Sequence, residues 1–224
     1  RLRPSGESGM LVSTLDGFRN YQRDSAWTWE HQALVRARPV AGDPAVIARF
    51  AAIRHQALCL ARDPDQLRDE VRGMRQKMRD SLDRSDATHF HIKHGVGGLV
   101  DIEFLVQFAV LRWAHDYPDL TAWTDNARLL ESLKGLSLLP EDTTAQLWDA
   151  YQKYRGVVHR NALQEAGSLV PREDLAAEQT MVTNILRMRD LTVEDVMTPR
   201  ADVVAILAGV PREPLEVAPI VGRD

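Results

Sequence analysis

Asp101 and Glu103 stand in the stretch GGLVDIEFLVQFAVLRW, residues 97 to 113. After its two glycines the stretch is apolar except for Asp101, Glu103, Gln107 and Arg112, and a helix apolar on every side is a buried one. Residues two apart do not share a helix face, so the two carboxylates are not arranged for joint acid–base work. Their place in the first turns favours negative charge by only ~0.3–1 kcal/mol each. Burying an ion costs several kcal/mol, so both need partners. Cations are available from Arg75, Lys77 and Arg79 of RGMRQKMR, from Lys93 of FHIKH, and from Arg155, His159 and Arg160 of YRGVVHR. The expectation is a structural ion-pair cluster of Asp101, Glu103, Arg75, Lys93 and Arg155 that ties helices together. A polar surface turned toward a ligand or a neighbouring domain is the alternative use.

Other residues invite the same question. In HFHIKHGVGG an extended chain puts His89, His91 and Lys93 on one face and His94 on the other. Two imidazoles could begin a zinc site, but no third ligand is in view, and an ordinary histidine pair is expected. Cys59, the single cysteine, sits among apolar neighbours in RHQALCLAR and reads as inert packing rather than as a nucleophile. Arg1 and Arg3 flank Leu2, so on a strand both point to one face and suit phosphate groups. Ser5 and Gly6 follow in a turn able to offer hydroxyl and backbone donors. Arg36 and Arg38 of VRARP also suit an anion, although basic groups at a helix end are favoured by the dipole alone. Trp27, Trp29, Trp113, Trp123 and Trp148 read as core and loop anchors.

The elements that must position these groups are mostly helical. Ser13 or Thr14 can cap a helix running to about Arg23. SAWTWEHQALVRAR gives a short helix anchored by Trp27, Leu34 and Val35, broken by PVAGDP. Asp43-Pro44 and Asp63-Pro64 each combine an N-cap with a proline suited to the first turn, and start helices to about Ala61 and through SLDRS. In the second of these, Leu67, Val71, Met74, Met78 and Leu82 recur at three and four, forming one apolar stripe. FHIKH reads as a short strand before a glycine hinge. Further helices are expected over 125–134, from Pro140 to about Gln164, and from Pro171 to about Arg189. Short gaps between capped helices are the pattern of an antiparallel bundle.

Composition agrees with an ordinary globular chain. Of 224 residues, 44% are hydrophobic and 27% charged, and the net charge of −4 gives no footprint for nucleic acid. No apolar run approaches the ~20 residues of a membrane span, and neither nucleic acid nor membrane is expected as a partner. A lone cysteine suits the cytoplasm. The opening RLRPSGESG lacks both a start methionine and a hydrophobic segment, so a fragment boundary rather than a signal peptide is expected there.

Five stretches in order and in register, RLRPSGESGMLVS, AWTWEHQALVRARPVAGDP, LRDEVRGMRQKMR, GGLVDIEFLVQ and YRGVVHRNALQ, resemble the glutamine synthetase adenylyltransferases over about residues 1 to 185. AWTWEHQAL looks like the second, adenylylating half of that family. The resemblance implies a mainly α chain: the edge of an α/β nucleotidyltransferase domain followed by an antiparallel helical bundle like that of the PII-uridylyltransferases. It divides the chain into residues 1–62, a remnant of the nucleotidyltransferase domain, residues 63–189, the bundle, and a tail over 190–224. The family moves AMP from ATP to a tyrosine of glutamine synthetase with Mg²⁺, under control of the PII signal protein and glutamine. By resemblance Arg1, Arg3, Ser5, Gly6, Arg36 and Arg38 are candidate nucleotide-binding residues.

The resemblance also implies an omission. In that superfamily the metals are held by two acidic residues after a Gly-Ser dipeptide and by a third acid on a neighbouring strand, which in this family stands just before RLRP. No such set is recognisable here, and the family usually has Asp where this chain has His91. The expectation is a chain that binds neither ATP nor Mg²⁺ tightly and is inert by itself. A non-catalytic helical module that docks PII or glutamine synthetase is the alternative. Residues from about 178 to 207, which include LTVEDVMTPRADVV, resemble the entry to a CBS domain of hemolysin-like and magnesium/cobalt-efflux proteins.

Overall fold

The computed structural model describes residues 12–188 of the chain. These residues form eight α-helices: α1 (Leu15–Asp24), α2 (Thr28–Val35), α3 (Pro44–Leu58), α4 (Pro64–Leu82), α5 (Leu99–Trp113), α6 (Asn126–Gly135), α7 (Glu141–Leu163) and α8 (Ala176–Met188). Two short strands, β1 (His89–His91) and β2 (Leu169–Pro171), pair antiparallel with Phe90 opposite Val170. The chain is mainly α.

The helices begin where side chains can satisfy free backbone N–H groups. Thr14 accepts from Gly17 N at 3.1 Å, Asp43 from Ala45 N at 2.8 Å, Asp63 from Gln66 N at 2.8 Å and Asp125 from Arg128 N at 3.0 Å. Pro44 and Pro64 occupy first-turn positions that need no donor.

α5 is the central rod. It packs against α2, α4, α6 and α7, while α1 and α3 lie together and α3 meets α2. Ile102, Val106, Ala109 and Val110 of α5 are fully buried, as are Leu34 and Val35 of α2, Leu129 and Leu133 of α6, and Leu147 and Tyr154 of α7. Helices on both sides of residues 62 and 63 therefore share one core.

Four expectations differ from what is found. The strand covers His89–His91 rather than FHIKH, because Gly95 N–H turns back to the His91 carbonyl at 2.8 Å. Pro171 ends β2 instead of starting a helix. A short 3-10 turn over Arg172–Leu175 intervenes, and α8 begins at Ala176. Trp27 caps α2 from outside, 71% exposed, and does not anchor it, and Trp29 and Trp123 also face outward. The anchors of α2 are Leu34 and Val35, and of the five tryptophans Trp113 lies in the core. Leu82, at the end of the α4 stripe, is exposed, and Arg75 takes a buried place beside that stripe.

Candidate functional site

The glycines before α5 build a tight seat. Gly95 N–H is drawn back to His91, and the first N–H groups of α5 are satisfied by backbone. Leu99 donates to the Ile92 carbonyl at 2.9 Å and Val100 to that of Lys93 at 3.1 Å. Gly97 has φ +78, and a Cβ there would lie 2.5 Å from the Gln179 carbonyl oxygen. Its carbonyl accepts from the Tyr154 hydroxyl at 2.9 Å, and its N–H donates to Asp101 Oδ2 at 2.7 Å. Burial pushes the Tyr154 phenol above its ordinary value, which keeps it a donor.

Asp101 is 2% exposed and faces α4. Arg75 Nε donates to Oδ1 at 2.5 Å, and Arg79 Nη2 reaches the two oxygens at 3.2 and 3.3 Å. Arg75 also donates to the His94 carbonyl at 2.8 Å and lies 5.9 Å over the Phe104 ring. Burial lowers the Arg75 pKa, and the charge and hydrogen bond of Asp101 oppose that shift. Both Asp101 oxygens are thus committed to protein donors, which closes this carboxylate to metal ligation. Glu103 leaves α5 in another direction and pairs with Arg36 of the α2 end at 2.6 Å. One helix therefore sends its two acids to two different neighbours.

Lys93 and Arg155 join neither carboxylate. Lys93 lies in the turn after β1, where its charge helps lower the pKa of His91 and His94. Tyr154 is the α7 residue that turns toward Gly97. Arg155, about 100° further round the helix, lies over the Tyr151 ring at 6.0 Å. The histidine geometry also departs from the extended-strand expectation. The turn brings His91 and His94 together, with ring centres 5.1 Å apart and His94 N–H donating to His91 Nδ1 at 3.0 Å. Burial is the main cause that holds both below the usual imidazole range. Exposed His89 instead lies 3.4 Å from Asp86. Among the described residues no group of three His, Cys, Asp or Glu is placed to hold a metal ion. Cys59 ends α3, partly exposed, and burial pushes its thiol up, away from the reactive thiolate.

Two arginines have structural roles that the sequence pattern does not announce. Arg54, 7% exposed, donates to the carbonyls of Leu34, Val35, Thr121 and Trp123, closing the α2 C-terminus against α3 and the loop before α6. Arg62 donates to the carbonyls of Ala57, Leu58 and Leu60, and burial takes its pKa down to about 10. The available signal is positional: Arg54 stands three and four residues before Ala57 and Leu58, on the apolar face of its own helix.

Arg1, Arg3, Ser5 and Gly6 lie outside the described residues, as does the CBS-like tail. Arg36 and Arg38 do come together, in the wall of a cleft of about 570 Å³ that also takes in Asn126 of α6 and Trp148, Arg155 and His159 of α7. The cleft is basic: three guanidinium groups face one carboxylate, Asp125, which already caps α6.

Comparison with known proteins places this arrangement. Residues 1–53 match the family model described as glutamate-ammonia ligase adenylyltransferase. Residues 72–169 match that of the GlnD PII-uridylyltransferases. The chain is similar to the bifunctional glutamine synthetase adenylyltransferase/adenylyl-removing enzyme of Methylococcus capsulatus, 52% identical over 182 residues, which is 81% of this chain and 19% of that protein. The proteins of the same description from Nitrosococcus oceani and Thioalkalivibrio sulfidiphilus are 50% and 47% identical over 185 and 187 residues, 83% and 84% of this chain and 19% of each relative. The chain thus spans about a fifth of the length of these relatives, and within that span it belongs to the glutamine synthetase adenylyltransferase family.

Proposed function

We propose that the chain supplies the helical part of the adenylylating half of a glutamine synthetase adenylyltransferase. Residues 1–62 form the far edge of the nucleotidyltransferase domain and residues 63–189 the bundle that supports it. The reaction attacks the α-phosphorus of ATP with a tyrosine oxygen of glutamine synthetase. The tyrosine loses its proton, the bond to the β-phosphate bridge breaks, and pyrophosphate leaves. Mg²⁺ and its acidic ligands belong to parts of the enzyme other than the described residues, and PII and ATP join glutamine synthetase as partners in the cytoplasm. Arg1, Arg3, Ser5 and Gly6 are proposed to meet the nucleotide from the edge of the catalytic domain.

The observation that carries this reading is the order of the two matches. An adenylyltransferase stretch is followed by a uridylyltransferase-type bundle, with about half of the residues identical to adenylyltransferases across both. The chain by itself is proposed not to transfer AMP, and the oxygens of Asp101, all taken by protein donors, leave this buried carboxylate no part in holding a metal. The Gly167-Ser168 dipeptide does not serve as the nucleotide motif, since it lies in the loop before β2 with the Ser168 carbonyl accepting from Ile92.

The test is incubation with α-labelled ATP, Mg²⁺ and glutamine synthetase, with and without PII. The expected result is no label on glutamine synthetase from this chain alone. Transfer by the chain alone would overturn the claim of inertness. Co-precipitation with PII or glutamine synthetase that persists without any contribution to transfer in a longer enzyme would favour the docking module.

A further inference from the structure

The cleft between α6, α7 and the end of α2 has the properties of a ligand site in its own right. Its volume, about 570 Å³, lies within the range of small-molecule pockets. Arg38 and Arg155 line it with no ion-pair partner among the described residues, whereas Arg36 shares its charge with Glu103. Asp125, the one acidic group in the wall, is occupied by the Arg128 backbone N–H at 3.0 Å and approached by the Arg128 side chain at 3.8 Å. Cation is therefore left in excess.

A second, independent observation points the same way. Asn126, the first residue of α6, is 2% exposed and lines this cleft, yet neither its amide nitrogen nor its amide oxygen has a hydrogen-bond partner. A buried amide without partners costs ~1–3 kcal/mol, and a ligand that bonds it removes that cost. The α6 N-terminus adds the positive end of a ten-residue helix at the same place. Trp148, stacked on Tyr151 with centroids 6.1 Å apart, contributes a flat apolar surface to the same wall.

We propose that this cleft binds a phosphorylated small molecule carrying a planar ring. Arg38, Arg155 and the Asn126 amide take the phosphate oxygens, and Trp148 supports the ring. Guanidinium groups suit phosphate because their planar fork donates two bonds at once. The site does not depend on the transfer reading, since it is built wholly from described residues and requires no reaction.

The experiment is ¹H–¹⁵N NMR of the chain titrated with ATP in the absence of divalent cations, with inorganic pyrophosphate, with adenosine, and with sodium chloride at matched ionic strength. The expected result is saturable shifts of the Asn126 side-chain amide and the Trp148 indole with ATP. Pyrophosphate should move Asn126 but not Trp148. Arg38→Gln and Arg155→Gln should each weaken ATP binding about tenfold, the loss of one charge-assisted bond. Arg187→Gln, on the exposed side of α8, should leave it unchanged. Circular dichroism of each variant separates lost binding from lost folding. Three outcomes would overturn the proposal: no saturable shift above the salt control, equal weakening by Arg187→Gln, or adenosine binding as tightly as ATP.

Discussion

Removing the Asp101 carboxylate while leaving Arg75 and Arg79 in place strands buried positive charge against α5. Breaking a buried pair from one side costs ~3–5 kcal/mol, so Asp101→Ala is expected to lose about that much in urea unfolding. Glu103→Gln should lose less than ~1 kcal/mol, because its partner Arg36 is 38% exposed to screening water. Equal losses in the two variants would contradict the assignment of Asp101 as the internal clamp. His31 gives the pH prediction. Its Nδ1 accepts from Arg62 at 3.3 Å and its Nε2 faces the Gln22 carbonyl at 2.9 Å, an arrangement that requires the neutral ring. Burial holds its pKa below 6.5, and does the same for His91 and His94. Below pH 6.5 the unfolded chain therefore binds protons that the folded chain refuses, and stability falls as pH drops from there toward the folded pKa values. The urea midpoint is expected to be lower at pH 5.5 than at pH 7.5, with a smaller difference in His31→Gln. Asp83 and Asp86, both held below the usual carboxylate range, act in a separate window near pH 4 and below, so they do not confuse this test. At this scale the sequence is readable where a charge interrupts an apolar stretch. It points to Asp101 and Arg75, but it places Lys93 and Arg155 beside them because composition shows which cations exist and not which way a helix turns them.

Among the elements, helix starts are the most legible feature, since Asp-Pro and Thr caps act through neighbours three residues away at most. The departures occur where long-range pairing decides. β2 is three residues long and ends in proline, and it exists because Phe90 and Val170 meet across nearly eighty residues of chain. The glycine hinge is likewise tertiary in origin. Gly97 needs its positive φ to present its N–H to Asp101 and its carbonyl to Tyr154, while α8 closes over its Cα. Gly97→Ala combines a strained backbone with an overlap against Gln179 and Thr183, and is expected to lose at least the ~1–3 kcal/mol of a forced left-handed residue. Hydrogen exchange should quicken first in α8 and at the start of α5. Unchanged protection there would contradict the seat described for these glycines.

For the molecule as a whole, periodicity and capping are enough to describe a mainly α chain, because each of those signals is complete within one helix. The cleft is half legible. Arg36 and Arg38 stand out in the sequence as cations suited to an anion, whereas Asn126, Trp148 and Arg155 join them only because α6 and α7 fold back across α5. The role proposed above makes this span supporting structure for AMP transfer in a larger enzyme. The most direct measurement places residues 1–187 of this chain in the corresponding span of the Methylococcus capsulatus protein, with which it shares 52% identity, and follows label from ATP onto glutamine synthetase. A folded chimera that transfers AMP within about tenfold of the parent rate, ~1.4 kcal/mol in barrier, is the expected result. A chimera that folds with the parent's stability yet transfers no AMP would contradict the claim.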